Sequence, residues 1–271
     1  MKAVIIIVAL PALFLPLGCL LYIFMQGWSA LSWDLLWHGS GSGVGMAMQA
    51  IWPQILGSLL MMLLACMMAA PIALALALFS ALWASGKQTY GLMVFLQILQ
   101  GIPPIVYGLC GLVVMVHLLH WGISLMAGGV ILAVVILPLL SSNMIHALER
   151  IPTEQSEAAQ ALGLRVEGLV WRVWMPQAWK GMLTGLLLGM ARSLSETAPI
   201  LFTATVFSGV MWPSSIFSPV TSLQTHIFYL AQEGSNAYAV DVAWASAVVL
   251  LGLILLFSLT ANWLRRIEVK A

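Results

Sequence analysis

Charged side chains are scarce in this chain. Asp, Glu, Lys and Arg make up 7% of its 271 residues, whereas a soluble domain has about 25%. Hydrophobic residues make up 62%, and the mean hydropathy is +1.04. These values exclude a soluble globular protein and predict an all-α integral membrane protein. The net charge of +1 provides no basic surface of the kind that nucleic-acid binding requires, so nucleic acid is excluded as a partner.

Cysteine is also rare, since the sequence has only Cys19, Cys66 and Cys110. All three lie inside apolar runs, and an odd number without paired spacing predicts neither a disulfide framework nor a zinc site. They are therefore predicted to be small core residues. His117 and His120 would share one helix face, but no carboxylate or cysteine lies near them in sequence. Anchoring at the membrane interface is favoured over metal binding.

Signatures of enzymes and of nucleotide binding are absent from the sequence. It contains no G-x-S-x-G elbow and no H-E-x-x-H helix. The glycine cluster at 39–45 lacks the Lys-Ser/Thr ending and the flanking strand of a phosphate loop, so it predicts a flexible loop. We expect this chain to be neither an enzyme nor an ATP-binding protein, and active transport would need energy from another subunit.

Long apolar runs are what the sequence does contain. Runs of about 18 or more mostly apolar residues predict helices that span the bilayer. The sequence has six of them, near 4–26, 54–82, 92–117, 122–146, 181–206 and 241–264. The first run is too long for a cleaved signal peptide and is predicted to be an uncleaved first helix. Residues 1–271 are expected to form a single domain, with a core over about 54–264.

Positive charge is distributed unevenly between the predicted loops. With six spans, all Lys and Arg residues except Arg192 fall on one side of the membrane. Because cytoplasmic loops collect Lys and Arg, the loops 27–53 and 207–240 are predicted to lie outside. The segment 147–180 and both termini are predicted to be cytoplasmic.

The cytoplasmic segment 147–180 carries eight charged residues. Pro152 and Thr153 predict the start of a helix, and Gly163 is placed to end it in the left-handed conformation. A second short helix is predicted before Pro176. A charged helical hairpin of this kind suits a docking surface for a cytoplasmic partner, and an amphipathic surface loop is the alternative.

The fifth span contains a charged pair. With a span that starts near Gly181, Arg192 lies roughly 16 Å deep at about 1.5 Å per residue. An unpaired arginine at this depth costs on the order of 3 kcal/mol, so it requires a partner or water. Glu196 follows one helical turn later, and Pro199 and Thr203 continue the same face. This stripe is predicted either to line a pathway or to form an ion pair that holds two helices together.

The hairpin resembles the EAA loop of permease subunits of ABC importers, whose pattern is EAA-x3-G-x9-I-x-L-P. The matching residues are Glu157, Ala158, Ala159, Gly163 and Pro176. The two apolar positions before the proline carry Val and Met instead of Ile and Leu. In that family the first helix of the loop is the coupling helix, which docks in a groove of the ATPase subunit.

Two further segments resemble the PstA-type permeases of phosphate importers. ARSLSETAPILFTA at 191–204 is similar to their ARALGETAP-L-FTA, with Ser195 in place of glycine. GIPPIVYGL at 101–109 is similar to their G-x-PSI-x-x-G, with Pro104 in place of serine. The resemblance extends over nearly the whole chain in span order and loop lengths.

This resemblance implies a type I ABC importer permease fold with six transmembrane helices and a coupling-helix hairpin at about 147–180. It implies a multi-pass protein of the inner membrane that moves inorganic phosphate by alternating access. The expected partners are a homologous second permease in a heterodimer, two cytoplasmic ATPase subunits and a periplasmic phosphate-binding protein. No cofactor or metal is expected on this chain, because ATP and magnesium would bind to the ATPase.

The same resemblance assigns roles to residues. Coupling to the ATPase is expected from Glu157, Ala158, Ala159 and Gly163. The substrate pathway is expected to include Arg192, Glu196, Thr197 and Thr203. Two alternatives stay open: a permease for another oxyanion such as molybdate or tungstate, and a membrane scaffold that recruits a cytoplasmic protein without transport.

Overall fold

The computed structural model describes residues 2–37, 50–206, 213–234 and 236–270. All regular structure in these ranges is helical, so the all-α prediction is confirmed for the described part of the chain. The predicted glycine loop at 39–45 lies outside the described residues. In chain order the first six helices are α1 (Lys2–Ala30), α2 (Trp33–Trp37), α3 (Trp52–Leu82), α4 (Gly86–Gly101), α5 (Pro104–Gly111) and α6 (Leu125–Glu149). The other six are α7 (Thr153–Ala161), α8 (Val166–Leu169), α9 (Met175–Leu194), α10 (Ala198–Thr203), α11 (Leu223–Gln232) and α12 (Ala237–Lys270).

Three of the described helices are long and apolar enough to cross a membrane, namely α3, α6 and the Ala237–Arg266 part of α12. They correspond to the predicted spans 54–82, 122–146 and 241–264. The bent pair formed by α4 and Pro104–Leu118 counts as a fourth span if it is taken as one unit. Within α1, the apolar stretch Phe14–Ala30 is shorter. The described residues therefore show three to four apolar spans.

The predicted span at 92–117 is not a straight helix, because the chain bends by 83° between α4 and the helical segment that begins at Pro104. Proline disfavours the α conformation in the residue before it, and here two prolines follow each other. Ile102 and Pro103 accordingly have extended backbones, with ψ of 126° and 132°. Pro103 also has no N–H to donate to the carbonyl of Leu99 four residues earlier. Two other donors reach that carbonyl: the Tyr107 hydroxyl at 2.8 Å and the Ile102 N–H at 3.3 Å.

The predicted span at 181–206 also differs from the observed helices. α9 begins upstream at Met175 and ends at Leu194, and α10 begins only at Ala198. Pro199 explains the break, because in a continuous helix its ring would clash with the carbonyl four residues earlier and its N–H would be missing. The second short helix expected before Pro176 is not separate, since α8 continues through a π-helical turn at Val170–Trp174 directly into α9.

The predicted outer connection 207–240 is not only a loop, because it contains α11. Ser222 caps this helix, with its Oγ accepting a hydrogen bond from the Thr225 N–H at 3.3 Å. Leu223 and Leu230 are fully buried on one side of it. An N-cap serine before an apolar helical pattern is the physical reason for the extra helix.

The chain folds as two compact units, and both α3 and α12 contribute to each of them, with the division after Ser58 in α3 and after Gly252 in α12. In the first unit, Gly27 of α1 lies so close to the backbone of Trp244 that no side chain would fit between them. Ser58 donates to Gln224 Oε1 at 2.9 Å and accepts the N–H of Leu223 at 2.9 Å. These buried polar contacts hold α11 against the start of α3 in that unit.

The second unit contains an apolar core built mainly from α3, α6 and α9. Glycines allow close helix contacts in this core, as is common in membrane proteins. A Cβ on Gly185 or Gly189 of α9 would lie 2.8 Å from Asn143 or 2.7 Å from Leu140 of α6. Ile136 and Leu140 of α6 are fully buried.

Of the three cysteines, only Cys66 is buried as predicted, whereas Cys19 and Cys110 are exposed. The reason is that both the core side and the lipid side of a membrane helix are apolar. An apolar run in the sequence therefore does not show whether a cysteine within it faces the protein core or the lipid.

Candidate functional site

The charged pair predicted from the sequence, Arg192 and Glu196, lies at the break between α9 and α10. Arg192 Nη2 is 2.6 Å from Glu196 Oε1. The Glu196 side chain is 8% exposed, whereas that of Arg192 is 51% exposed. The carboxylate is therefore held inside the unit, and the guanidinium extends from it toward open space.

A cavity of about 330 Å³ lies beside Arg192. Its other walls come from the break between α4 and α5 and from apolar side chains of α6. Gln100, Pro104 and Tyr107 line it on the broken-helix side. The first residue of α5 is thus at the cavity, and the N-terminus of a helix carries a partial positive charge. A guanidinium and a helix N-terminus facing one space are suited to an anion.

The two broken helices are held together by close contacts between α5 and α10. A Cβ on Gly108 would lie 2.8 Å from Pro199 Cα, and one on Gly111 would lie 2.9 Å from Thr203 Cγ2. At position 108 only glycine permits this approach to the α10 backbone, and at position 111 a side chain would displace that of Thr203. The packing fixes the break that carries Glu196 relative to the break that carries Pro104.

The remaining predicted pathway residues occupy different environments. Thr203 is fully buried, and its hydroxyl donates to the Pro199 carbonyl at 2.9 Å. Thr197 is half-buried, and its carbonyl accepts the N–H of Leu201 at 3.1 Å. The prediction that Arg192, Glu196 and Thr203 share one helix face assumed one continuous helix. Because α9 ends at Leu194, the residues after the break do not continue that face. Arg192 and Glu196 are brought together, whereas Thr203 faces the interior of the unit.

The coupling segment forms the expected first helix, α7, which ends at the expected glycine. Gly163 has a φ of +81°. Its N–H donates to the Gln160 carbonyl at 2.9 Å, and the N–H of Leu164 donates to the Ala159 carbonyl at 3.1 Å. This pair of bonds is a Schellman motif, which requires a left-handed residue at the glycine position. The predicted helix end is confirmed.

The surface of α7 is polar with one large apolar side chain at its end. Glu157 and Ala158 are exposed, and Ala159 is buried. Leu162 is 86% exposed. On the inner side, Trp174 Nε1 donates to Ser156 Oγ at 3.0 Å, which ties α7 to the π-helical turn that follows it. The hairpin therefore presents Glu157, Ala158 and Leu162 outward on a braced support.

The sequence matches the family described as "Binding-protein-dependent transport system inner membrane component" over residues 73–269. That segment includes α7, both helix breaks and the Arg192 cavity. The chain belongs to this family. It is therefore the membrane permease component of an ABC transporter and not the ATPase, and it is a multi-pass protein of the inner membrane.

Phosphate transport proteins are among the relatives of this permease. It is 30% identical over 242 residues to the phosphate transport system permease protein PstA 2 of Mycobacterium bovis, covering 88% of this chain and 77% of the relative. It is 32% identical over 210 residues to the PstA protein of Xylella fastidiosa, covering 76% and 71%. The sequence-based resemblance to PstA-type permeases is thus confirmed.

A solved structure supports the fold. The permease aligns with a chain of a bacterial alginate ABC transporter with a TM-score of 0.67 and 16% identity, covering 98% of this chain and 96% of the other. At this identity the likeness shows the fold alone. The type I importer permease fold expected from the sequence is supported as a fold class.

Two cavity residues, Gln100 and Tyr107, were not predicted as site residues. Both lie close to the two prolines that break the helix, in a segment whose sequence indicates only a resemblance to the PstA-type permeases. The available signal was the proline pair, because two prolines in an apolar run expose backbone groups at membrane depth, where they need a cavity or a replacement partner. In the structure the break at these prolines lies beside Arg192, and Pro104 and Arg192 line the same cavity.

Proposed function

We propose that this permease moves inorganic phosphate across the inner membrane by alternating access. It does so as one half of a heterodimer with a homologous second permease, with six spans in each half. A periplasmic phosphate-binding protein delivers the anion, and two cytoplasmic ATPase subunits bind ATP and magnesium. The permease itself binds no cofactor.

The main support for this proposal is the position of Arg192, which lines the cavity beside the α4–α5 break and lies close to the α9–α10 break. Its half-exposed guanidinium provides a planar set of donors for phosphate oxygens. The buried Glu196 carboxylate orients the guanidinium and offsets part of its charge. The anion is consequently held weakly enough to leave again, as transport requires.

The coupling hairpin supplies the second part of the mechanism. In the proposed complex, Glu157, Ala158 and Leu162 dock on an ATPase subunit, with Gly163 setting the direction in which α7 ends. ATP binding draws the two ATPases together and moves the hairpins, which opens the pathway outward. Hydrolysis returns the pair to the inward-open state, and the phosphate leaves into the cytoplasm. The exposed outer surface of α7 and the Ser156–Trp174 brace support this role.

Phosphate is favoured as the cargo because of the relatives' described function and the SETAP segment that contains Glu196. The test is uptake of radiolabelled phosphate by proteoliposomes that contain the complex, with ATP inside and the binding protein outside. We expect uptake that requires ATP and is unaffected by a tenfold excess of molybdate or tungstate. Uptake of labelled molybdate with none of phosphate would assign the permease to another oxyanion, and a complex without any associated ATPase would indicate a scaffold.

The orientation of the permease has its own test. The positive-inside rule places the exposed residue Gln155 of the hairpin in the cytoplasm and the exposed Ser214 outside. In a variant without native cysteines, Ser214→Cys should react with a membrane-impermeant maleimide in intact cells. Gln155→Cys should react only after the membrane is permeabilised. Labelling of Gln155→Cys in intact cells would overturn the proposed topology.

A further inference from the structure

Hydrogen-bonding groups of two kinds line the Arg192 cavity. Among the described residues, the polar side chains at its wall are those of Gln100, Tyr107 and Arg192. Arg192 can only donate hydrogen bonds, because a guanidinium has no acceptor. Gln100 and Tyr107 belong to the two helices that meet at the α4–α5 break. The broken-helix side of the cavity therefore brings a different set of groups to the same space.

The backbone carbonyl of Gln100 is left without a donor by the second proline of the break. In a continuous α-helix this carbonyl would accept a hydrogen bond from residue 104, but Pro104 has no N–H. Within the described ranges, no other group donates to it. The neighbouring Leu99 carbonyl, by contrast, accepts from Tyr107 and from Ile102. Gln100, which lines the cavity, thus carries an unpaired backbone acceptor.

The side chain of Gln100 is unpaired as well. It is exposed at the last turn of α4, and its amide forms no hydrogen bond with any described residue. Unpaired polar groups within a membrane span are unfavourable in contact with hydrocarbon and are tolerated where they face a water-filled cavity. Two such groups on one residue indicate that the cavity holds water or a polar substrate at this point.

The Tyr107 hydroxyl also provides acceptor capacity. A phenol has one hydrogen to donate, and Tyr107 uses it in the 2.8 Å bond to the Leu99 carbonyl. The lone pairs that stay available on its oxygen can only accept. The α4–α5 break therefore offers acceptors from Gln100 and Tyr107, whereas Arg192 offers donors.

This combination of donors and acceptors matches the chemistry of one class of oxyanion. At neutral pH inorganic phosphate carries at least one P–OH group beside its charged oxygens, and arsenate carries the corresponding As–OH group. Sulfate, molybdate and tungstate carry no such proton. An acceptor that binds the hydroxyl of phosphate meets a lone pair instead when a fully deprotonated anion takes its place, so that acceptor is then left unpaired.

We infer that Gln100 is a specificity-determining residue of this permease. Its side-chain oxygen accepts a hydrogen bond from the P–OH group of phosphate, with its backbone carbonyl as a second acceptor, while Arg192 binds a charged oxygen of the same anion. Tyr107 supports this selection through its remaining lone pairs. The permease thus prefers protonated tetrahedral oxyanions to sulfate independently of the binding protein. The inference rests on the proposed function, because it takes the Arg192 cavity as part of the phosphate pathway.

The test is phosphate binding by the purified complex of permeases and ATPases without the binding protein. Binding is measured by the broadening of the phosphorus NMR signal of inorganic phosphate, which detects weak sites. ADP and magnesium fill the ATPase sites, and only the broadening that Arg192→Gln abolishes is assigned to the cavity. Arsenate should displace phosphate from it efficiently, whereas sulfate should compete about tenfold more weakly than arsenate.

Gln100→Leu removes the side-chain acceptor and should lower the preference for phosphate over sulfate about fivefold, because phosphate binding weakens and sulfate binding does not. Gln97→Leu is the matched control. It makes the same substitution at an exposed glutamine one turn earlier on α4, which does not line the cavity, and its preference should equal that of the unmodified complex. If the Gln100 amide served as a donor, Gln100→Leu would weaken phosphate and sulfate binding equally. That result, or an equal change in Gln97→Leu, would overturn the inference.

The same measurements separate this inference from the proposed function. Phosphate uptake by the complete transporter, together with an unchanged preference in Gln100→Leu, would overturn the inference and leave the proposed function standing. In a complex that takes up no phosphate, a preference reduced by Gln100→Leu would support this anion site and contradict the proposed function. Identical broadening in Arg192→Gln and in the unmodified complex would show that the cavity binds no phosphate, and the inference would then be wrong.

Discussion

Arg192→Gln is expected to lower the initial rate of phosphate uptake by roughly 100-fold, since a charge-assisted contact to the passing anion is worth about 1.5–3 kcal/mol. The substitution has a second effect. It leaves the Glu196 carboxylate, which is almost completely buried, without its cationic partner. A lone carboxylate beside the cavity repels a phosphate anion. The measurement is uptake of labelled phosphate at matched expression, with the associated ATPase quantified by co-purification.

The alternative role for Arg192, an ion pair that only holds helices together, makes a different prediction for a double variant. In Arg192→Gln/Glu196→Gln both charges are removed, so no uncompensated charge stays buried. A structural pair would then be replaced without loss, and uptake would recover. If the guanidinium contacts phosphate, the double variant stays inactive while the protein inserts and assembles normally. Arg192→Lys should transport at an intermediate rate, because it keeps the charge without the planar set of donors.

Arg266→Gln serves as a control for this experiment. It removes one exposed arginine at the end of α12, so its uptake should be normal if the effect at position 192 is specific. Normal uptake by Arg192→Gln, or recovery in the double variant, would contradict the assignment and leave the structural pair as the role of Arg192.

The helices could be predicted from the sequence because a bilayer imposes a simple rule on composition. Every backbone group in the hydrocarbon needs an internal partner, so long apolar runs become helices. α3, α6 and α12 follow this rule closely. The ends of α7 were predictable for a local reason, since Pro152 fixes its own φ and Gly163 can adopt the left-handed conformation that ends a helix, whatever surrounds them.

The breaks were not predicted, although their causes are visible in the sequence. The segments 92–117 and 181–206 are mostly apolar despite their prolines. A criterion based on the length of an apolar run does not count the N–H groups that prolines lack. Whether a proline bends, breaks or merely kinks a membrane helix depends on which groups replace the lost hydrogen bond. At Pro103 the side chain that replaces the lost donor is that of Tyr107, through its hydroxyl. That partner is set by tertiary geometry.

The candidate site could be predicted only in part, because it too depends on tertiary geometry that the sequence pattern does not show. The spacing of Arg192 and Glu196 allowed an ion pair, and they form one. The prediction that Thr203 lies on the same face as Arg192 assumed one helix through both residues, but α9 ends at Leu194, nine residues before Thr203. The cavity combines that pair with GIPP residues about ninety positions away. Long-range proximity of this kind is not visible in the periodicity of one segment.

Gly163→Val is expected to abolish transport while the permease still inserts and folds. The φ of +81° costs a non-glycine residue roughly 1–2 kcal/mol, and a β-branched residue is especially unfavourable there. Apart from Gly163 and its two chain neighbours, no residue has an atom within 4 Å of the position that a Cβ would occupy. The strain is therefore confined to the backbone. It is relieved by breaking the bonds from Gly163 and Leu164 to the carbonyls of α7, which changes the direction of the coupling helix.

Three matched variants separate coupling from helix termination. Gly163→Asn tolerates the left-handed conformation and should keep most of the uptake and of the transport-stimulated ATPase activity. Gly86→Val places the same side chain at an open glycine of ordinary φ at the start of α4, and it should transport normally. Glu157→Gln alters the exposed face of α7 without strain and should reduce ATPase stimulation to a smaller extent. If Gly163→Val left ATPase assembly, stimulation and phosphate uptake like those of Gly163→Asn, the motif would be a simple helix end. The docking role of α7 would then have to rest on its exposed side chains alone.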